Sequence, residues 1–178
     1  MKIDVLPVPF EQKPVLRRLM ELYLYEFSAM QDKEISEYGE YGYHYFDHYW
    51  TDSNRFPFLI RANGKIAGFA LVLRSSLFSD QESSLSSRTT AMAEFFVLLK
   101  YRRKGVGAEA AALLFDRFPG RWEVGEIEEN PAAHAFWRRI IGDYTNGNYE
   151  EVHLQTEHWQ GPCQIFEAVP RGNRLGAG

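Results

Sequence analysis

Residues 95–107 read Phe95-Phe-Val-Leu-Leu-Lys-Tyr-Arg-Arg-Lys-Gly-Val-Gly107, a β-rich run feeding a basic, glycine-containing loop. The helix that follows is predicted from Gly105 to Phe118, with Ala110, Leu113, Leu114 and Phe118 along one face and Pro119-Gly120 as its stop. A strand–loop–helix junction of this kind suits phosphate. The first N–H groups of a helix point at an anion, the dipole favours negative charge, and Gly105 and Gly107 remove Cβ atoms from the approach. Arg102, Arg103 and Lys104 add positive charge at the same mouth. The plain alternative is a solvated basic turn ending in a flexible Gly pair.

Two phosphate signatures can be tested on this loop. The G-x-x-x-x-G-K-[ST] pattern is absent from the chain. Gly105-Val-Gly107-Ala-Glu-Ala110 satisfies G-x-G-x-x-A, with Glu126 at the distance of a ribose-binding acid. In a dinucleotide fold, however, the first Gly follows its strand directly and opens a doubly wound sheet. Here Gly105 comes about eight positions after Val97, and only about 70 residues follow, which disfavours that reading.

Working outward, Lys2–Pro7 reads as a first strand and residues 12–29 as a helix with Leu16, Leu19, Met20, Tyr23, Leu24 and Phe27 at helical spacing. A second helix is predicted over 41–50, although Gly39 and Gly42 weaken its start. Phe56–Arg61 and Lys65–Leu73 flank Asn63-Gly64, a hairpin turn. Ser75–Ser87 reads as a loop, and Thr89 to Val97 as a fourth strand. Trp122–Ile127 makes a fifth. Asn130-Pro131 then caps a helix through Phe136, Trp137, Ile140 and Ile141 that Gly142 should end, and Asn148–Thr156 and Cys163–Val169 complete the sheet. The order β-α-α-β-β-β-α-β-α-β-β gives a mixed α/β sheet in one domain over residues 1–169, with 170–178 as a flexible tail.

Composition agrees with a single packed core: 178 residues, 45% hydrophobic and 25% charged. No apolar run suits a membrane span, and the N-terminus lacks the apolar stretch of a signal peptide, so a cytoplasmic location without membrane attachment is expected. The single cysteine, Cys163, leaves no internal disulfide. A net charge of -4 argues against nucleic acid. That charge is uneven. From Glu21 to Asp52 eight acids (Glu21, Glu26, Asp32, Glu34, Glu37, Glu40, Asp47, Asp52) face one base, Lys33. Either a cationic ligand or plain solvation would account for such a face.

Arg102-x-x-Gly105-x-Gly107-Ala108, preceded by Ala93-Glu-Phe-Phe-Val97, resembles the R/Q-x-x-G-x-G/A loop and bulged strand of the GNAT superfamily of acyl-CoA-dependent N-acyltransferases. Asn130-Pro-Ala-Ala-His-Ala-Phe-Trp137 is similar to that superfamily's N-x-x-A-x-x-F-Y segment. The resemblance implies a GNAT fold and acetyl-CoA as co-substrate. It implies that the amides of Gly105, Val106, Gly107 and Ala108 hold the pyrophosphate, with Arg102, Arg103 and Lys104 around them. It also implies that the backbone of Phe96, Val97 and Leu98 pairs with the pantetheine arm, that Asn130 contacts CoA between strands four and five, and that Trp137 stands on the CoA side.

Amide formation needs a base for the amine, an oxyanion donor and often an acid for the thiolate. Glu94, Glu123 and Glu126 are the candidate bases, each with solvated strand carboxylate as its bland alternative. Many members of the superfamily place a proton-donating Tyr where this chain has Trp137, whose indole does not ionise near neutrality. Tyr144 or solvent could replace it, Trp137 could be core, or the protein could be a non-catalytic acyl-CoA sensor. His44 and His48 lack the glutamate and third ligand of a metal site, so no metal is expected. The leading expectation is an N-acetyltransferase acting on a primary amine of a cationic small molecule or peptide. A homodimer is its expected assembly.

Overall fold

The computed structural model describes residues 1–77, 89–155 and 159–172. Ten regular elements follow in chain order: β1 (Ile3–Pro7), α1 (Lys13–Gln31), β2 (Arg55–Ala62), β3 (Lys65–Leu73), β4 (Thr90–Val97), α2 (Val106–Arg117), β5 (Gly120–Gly125), α3 (Pro131–Thr145), β6 (Tyr149–Gln155) and β7 (Gln160–Ala168). The strands form one seven-stranded sheet in the order β1-β2-β3-β4-β5-β7-β6. All neighbours are antiparallel except β4 and β5. This is the mixed α/β sheet expected.

Helices cover both faces. On one, α2 and α3 pack Leu114, Phe115, Trp137 and Ile141 against Val72, Trp122 and Phe166. On the other, α1 lays Leu16, Met20 and Tyr23 on Leu59, Phe69, Leu71 and Phe96. The α1 stripe follows the i, i+3, i+4 spacing of its apolar residues, and Pro14 occupies the first turn, where its missing N–H costs nothing. Trp122 lies at the centre of the first core. It is fully buried, packs on Phe115 and Phe118, and donates its indole N–H to the Phe118 carbonyl at 2.7 Å.

Several expectations need correction. The helix over 41–50 is reduced to a single 3-10 turn, Phe46–Trp50, because Gly39 and Gly42 adopt left-handed φ of 75° and 70° that an α-helix cannot contain. The last helix does not stop at Gly142. It runs to Thr145 and ends on Asn146 with φ 55°, while the Tyr149 ring packs beside Gly142 and Tyr144 fills the core. The Asn63-Gly64 turn has both residues at positive φ, as its hairpin requires.

The start of the expected tail is tied down, since Arg171 pairs with Asp116 at 2.7 Å and with Glu109 at 3.0 Å. Residues 173–178 of the tail, Thr156 and most of the serine-rich loop lie outside the described residues. No described helix is long and apolar enough to cross a membrane.

Replacing Trp122 by Ala removes the largest fully buried side chain and is expected to cost about 3–5 kcal/mol. The check is a lower urea midpoint with an unchanged slope.

Candidate active site

β4 and β5 run parallel but pair over only three positions, Thr90↔Trp122, Ala91↔Glu123 and Met92↔Val124. The β3–β4 register jumps from Val72↔Met92 to Leu71↔Glu94, so Ala93 is an extra, bulged residue. The bulge bends β4 and resets its alternation, bringing Glu94 to the α1 face with Phe96. Beyond it β5 ends at Gly125 and the strands part around an open cavity of about 280 Å³. Glu94, Glu126, Tyr23, Tyr43, Asn130 and Trp137 are among the residues that line it.

Glu94 lies part-buried on the cavity wall, and its Oε2 accepts a hydrogen bond from the Tyr23 hydroxyl. Burial pushes its carboxyl up to about 7, against the pull of hydrogen bonds from Tyr23 and Tyr43 and the charge of Lys33. Burial and the carboxylate together push both phenols above their usual range, so they stay protonated donors. Tyr43 and Lys33 arrive on the segment after α1. That segment is fixed by Glu21, which accepts from the N–H groups of Tyr41 and Gly42 at 2.7 and 3.0 Å, and by Lys33, which donates to the Gly42 carbonyl at 3.2 Å.

Glu126 also reaches the cavity, but Glu123 does not. The Glu123 carboxylate is buried on β5 among Ser76 Oγ (2.9 Å), the Leu77 N–H (2.8 Å) and Arg121 (3.5 Å), where it holds the start of the β3–β4 connection. Bound in this way and absent from the cavity lining, Glu123 is not placed to act as the base.

The basic loop has the geometry expected of an anion site, with a different division of labour among its residues. Arg103 (φ 56°) and Gly105 (φ 80°) turn the chain through left-handed conformations into α2. The first N–H groups of α2, those of Val106, Gly107 and Ala108, therefore face outward. A Cβ on Gly105 would meet open space. Gly107 answers to packing as well, because a Cβ there would come within 3.2 Å of the Phe136 ring. Arg103 and Lys104 are exposed at the mouth. Arg102 turns inward: its Nε donates to the Val97 carbonyl at 2.6 Å and its terminal nitrogen lies 2.7 and 2.8 Å from the two Glu26 oxygens. Its charge is answered by Glu26, so Arg102 positions the loop in place of adding free charge.

The backbone edge is also narrower than expected. The Leu98 N–H donates to Ala67 of the β3 side at 2.9 Å. By antiparallel alternation Phe96 is turned the same way, and the N–H groups facing the split belong to Phe95 and Val97. Asn130 caps α3, its side-chain oxygen accepting from the Ala133 N–H at 3.0 Å, and borders the cavity. Trp137 lines the cavity but is 95% buried against Phe95, Phe136 and Phe115, the packing reading of this residue. The Tyr144 hydroxyl lies 2.9 Å from Asp116 and 3.0 Å from the Val169 carbonyl, away from the residues lining the cavity, and so is not the replacement acid.

Of the eight acids between Glu21 and Asp52, four have internal partners. Glu21 and Glu26 are bound as described, Asp47 meets Lys13 at 2.9 Å, and Asp52 meets Arg55 at 3.3 Å. Asp32, Glu34, Glu37 and Glu40 are exposed. His44 precedes the 3-10 turn that holds His48, so the two do not share a helix face; both rings pack on Tyr45. Among the described residues no three His, Cys, Asp or Glu side chains cluster as metal ligands.

Tyr23 and Tyr43 escaped the sequence reading as site residues. Tyr23 sits on the buried stripe of α1 and is indistinguishable there from core. Tyr43 falls in the stretch 41–50 expected to be a helix, and it lines the cavity.

The fold is shared with solved acetyltransferases. An acetyltransferase from Thermus thermophilus superposes with a TM-score of 0.65 at 14% identity, over 94% of this chain and 97% of that one. An aminoglycoside acetyltransferase in complex with coenzyme A gives 0.63 at 13%, over 93% and 95%. A spermidine N-acetyltransferase from Vibrio cholerae in complex with CoA and spermine gives 0.61 at 12%, over 94% and 96%. No curated protein matches in sequence. The model of the acetyltransferase (GNAT) family, however, matches residues 16–142, from the first turn of α1 through the basic loop and the parting strands into α3. With most of its length matched in this way, the chain belongs to the GNAT family of acetyltransferases.

Proposed function

We propose that this acetyltransferase moves the acetyl group of acetyl-CoA to the primary amine of a cationic small molecule or peptide, with Glu94 as the base. The observation that carries this reading is Glu94 itself, a carboxylate turned into the parted-strand cavity by the β4 bulge and held by two phenols. Acetyl-CoA supplies an acetyl thioester open to nucleophilic attack. The groups that fit it are the outward N–H groups of Val106, Gly107 and Ala108, the unobstructed Gly105, and Arg103 and Lys104 beside them. Asn130 and Trp137 border the same cavity. The N–H groups of Phe95 and Val97 are the natural donors to an oxyanion, because they face the split with no strand paired across it.

An ammonium group near its ordinary pKa of about 10 must lose a proton before attack, and Glu94 accepts it directly or through a water. A base titrating near 7 is largely ionised just above neutrality yet basic enough to help. This favours turnover over an acyl-CoA sensor that only binds.

The cationic acceptor is supported by the exposed acids Asp32, Glu34, Glu37 and Glu40, on the segment that also delivers Lys33 and Tyr43 to the cavity. Fold relatives that act on spermidine and aminoglycosides accord with such a substrate.

Glu94→Gln lowers kcat/KM by about 10² or more and removes the rise in rate as pH climbs through 7. Tyr23→Phe deletes a donor that favours the carboxylate, so the same rise moves to higher pH. Both are read from pH profiles with saturating acetyl-CoA.

The double change Arg103→Ala with Lys104→Ala weakens CoA binding in calorimetry by about tenfold, less at high salt. Arg102→Ala instead lowers the thermal midpoint, because Arg102 is committed to Glu26 and Val97.

Converting Asp32, Glu34, Glu37 and Glu40 together to amides lowers kcat/KM for polyamine-like acceptors by about tenfold and flattens its salt dependence. An amine panel acetylated only where the acceptor is neutral or anionic would count against the cationic assignment.

A further inference from the structure

Glu126 follows β5 at the rim of the cavity and is only 4% exposed. The backbone holds it there. Its N–H donates to the Pro162 carbonyl at 3.0 Å, and the adjacent Gly161 (φ 138°) leaves the space this needs, since a Cβ would stand 2.1 Å from the Glu126 carbonyl oxygen. Its carboxyl group shares one amide with a second acid. Gln164 Nε2 donates to Glu126 Oε2 at 3.2 Å and to Glu151 Oε2 at 3.0 Å, which employs both amide protons and fixes the amide's orientation.

The two acids are not equivalent. Glu151 also meets His134 Nε2 at 3.0 Å and the Arg138 guanidinium at 3.5 Å, so it has cationic support for a negative charge. Glu126 has no such neighbour among the described residues, and its Oε1 is buried without a hydrogen-bond partner. An ionised carboxylate can only accept, and an orphaned buried oxygen on an anion is strongly unfavourable. Protonation removes the unsupported charge. Oε2 remains the acceptor for Gln164, and Oε1 becomes a hydroxyl.

We propose that Glu126 is the proton donor of the cleft, standing protonated at Oε1 and giving that proton to the sulfur that leaves the acetyl group. The proposal rests on the acetyl transfer and the role of Glu94 argued above. Proton and electron pair balance as follows. The C–S bond breaks with its pair on sulfur, the Glu126 O–H bond breaks, and S–H forms. The ammonium nitrogen gives up two protons in all, one before the C–N bond forms and one after it, and both leave by way of Glu94; Glu126, now a carboxylate, regains one from solvent, so one proton leaves per turnover.

The surroundings divide the two roles. Burial is the main force lifting Glu126, to about 8; Gln164 opposes it and the charge of Glu151 adds to it. Cys163 nearby stays neutral, its thiol pushed up to about 12 by burial. Across the cavity Lys33 and the phenols of Tyr23 and Tyr43 bear on Glu94 and favour its anion. Two carboxyl groups whose environments separate them in this way can serve as base and acid in one site. The assignment also accounts for a chain with Trp137 in place of a proton-donating phenol.

Infrared difference spectra of the ligand-free protein, titrated from about pH 6 to about pH 9.5, test the resting state without any turnover. A protonated-carboxyl carbonyl band that titrates near 8 and is missing in Glu126→Gln is expected. Glu151→Gln, by removing the neighbouring charge, moves that titration to lower pH. In kinetics Glu126→Gln lowers kcat about tenfold with KM little changed and abolishes the alkaline fall in rate. This is below the usual general-acid effect because a thiolate is a weak base.

Circular dichroism and urea midpoints establish that the variants are folded. A spectrum with no band attributable to Glu126, or a folded Glu126→Gln enzyme that keeps the wild-type alkaline limb, overturns the proposal. If Glu94→Gln leaves the acidic limb intact, it is the base assignment that fails, and the infrared result for Glu126 stands apart from it.

Discussion

Everything in the site depends on how briefly β4 and β5 stay together. Parallel strands buried between helices normally pair along their length, and here the ladder ends after three residues. The one-residue bulge at Ala93 turns β4 aside, and β5 terminates at Gly125, where the Trp159 ring sits so close that a Cβ would come within 3.0 Å of it. The unpaired backbone left at the split would be unfavourable in a core. In a cleft it becomes a row of oriented donors for a ligand to meet. The two thoroughly packed cores on either side allow the sheet to hold this gap without collapse.

The split also explains why two carboxyl groups can coexist in one cavity. Each comes from a different strand and a different set of neighbours. Glu94 looks toward α1 and is served by phenols; Glu126 looks toward β6 and β7 and shares an amide with an acid that already has its cations. Neither relies on a direct ion pair, which would have locked it in the charged state well below neutrality. The third glutamate, Glu123, shows the contrast. One pairing position from the last β4–β5 partner, it is fully bound by Ser76, Leu77 and Arg121 and serves architecture alone.

What the sequence disclosed follows the range of the interactions involved. Strand periodicity, the Asn63-Gly64 turn, the Pro-led helices and the glycine loop are local, and each stands within about three residues of its expected place. The failures are nonlocal or concern competition. Two left-handed glycines overrode the helix predicted over 41–50, and a buried Tyr144 carried α3 past Gly142. The loop's charge was legible, but the partnership of Arg102 with Glu26, 76 positions away, was not. Likewise Glu94 could be nominated from its strand, while Tyr23 and Gln164, the residues that make Glu94 and Glu126 different, carry no signature that separates them from core.

The Arg102–Glu26 contact ties the basic loop to the helix that walls the opposite side of the cavity. Both partners are about one-third exposed, so water competes for each and the link is worth about 1–2 kcal/mol in place of the larger value of a buried pair. Loop and helix are thus neither fused nor independent, and a change that loosens one side of the cavity is felt at the other through this one contact.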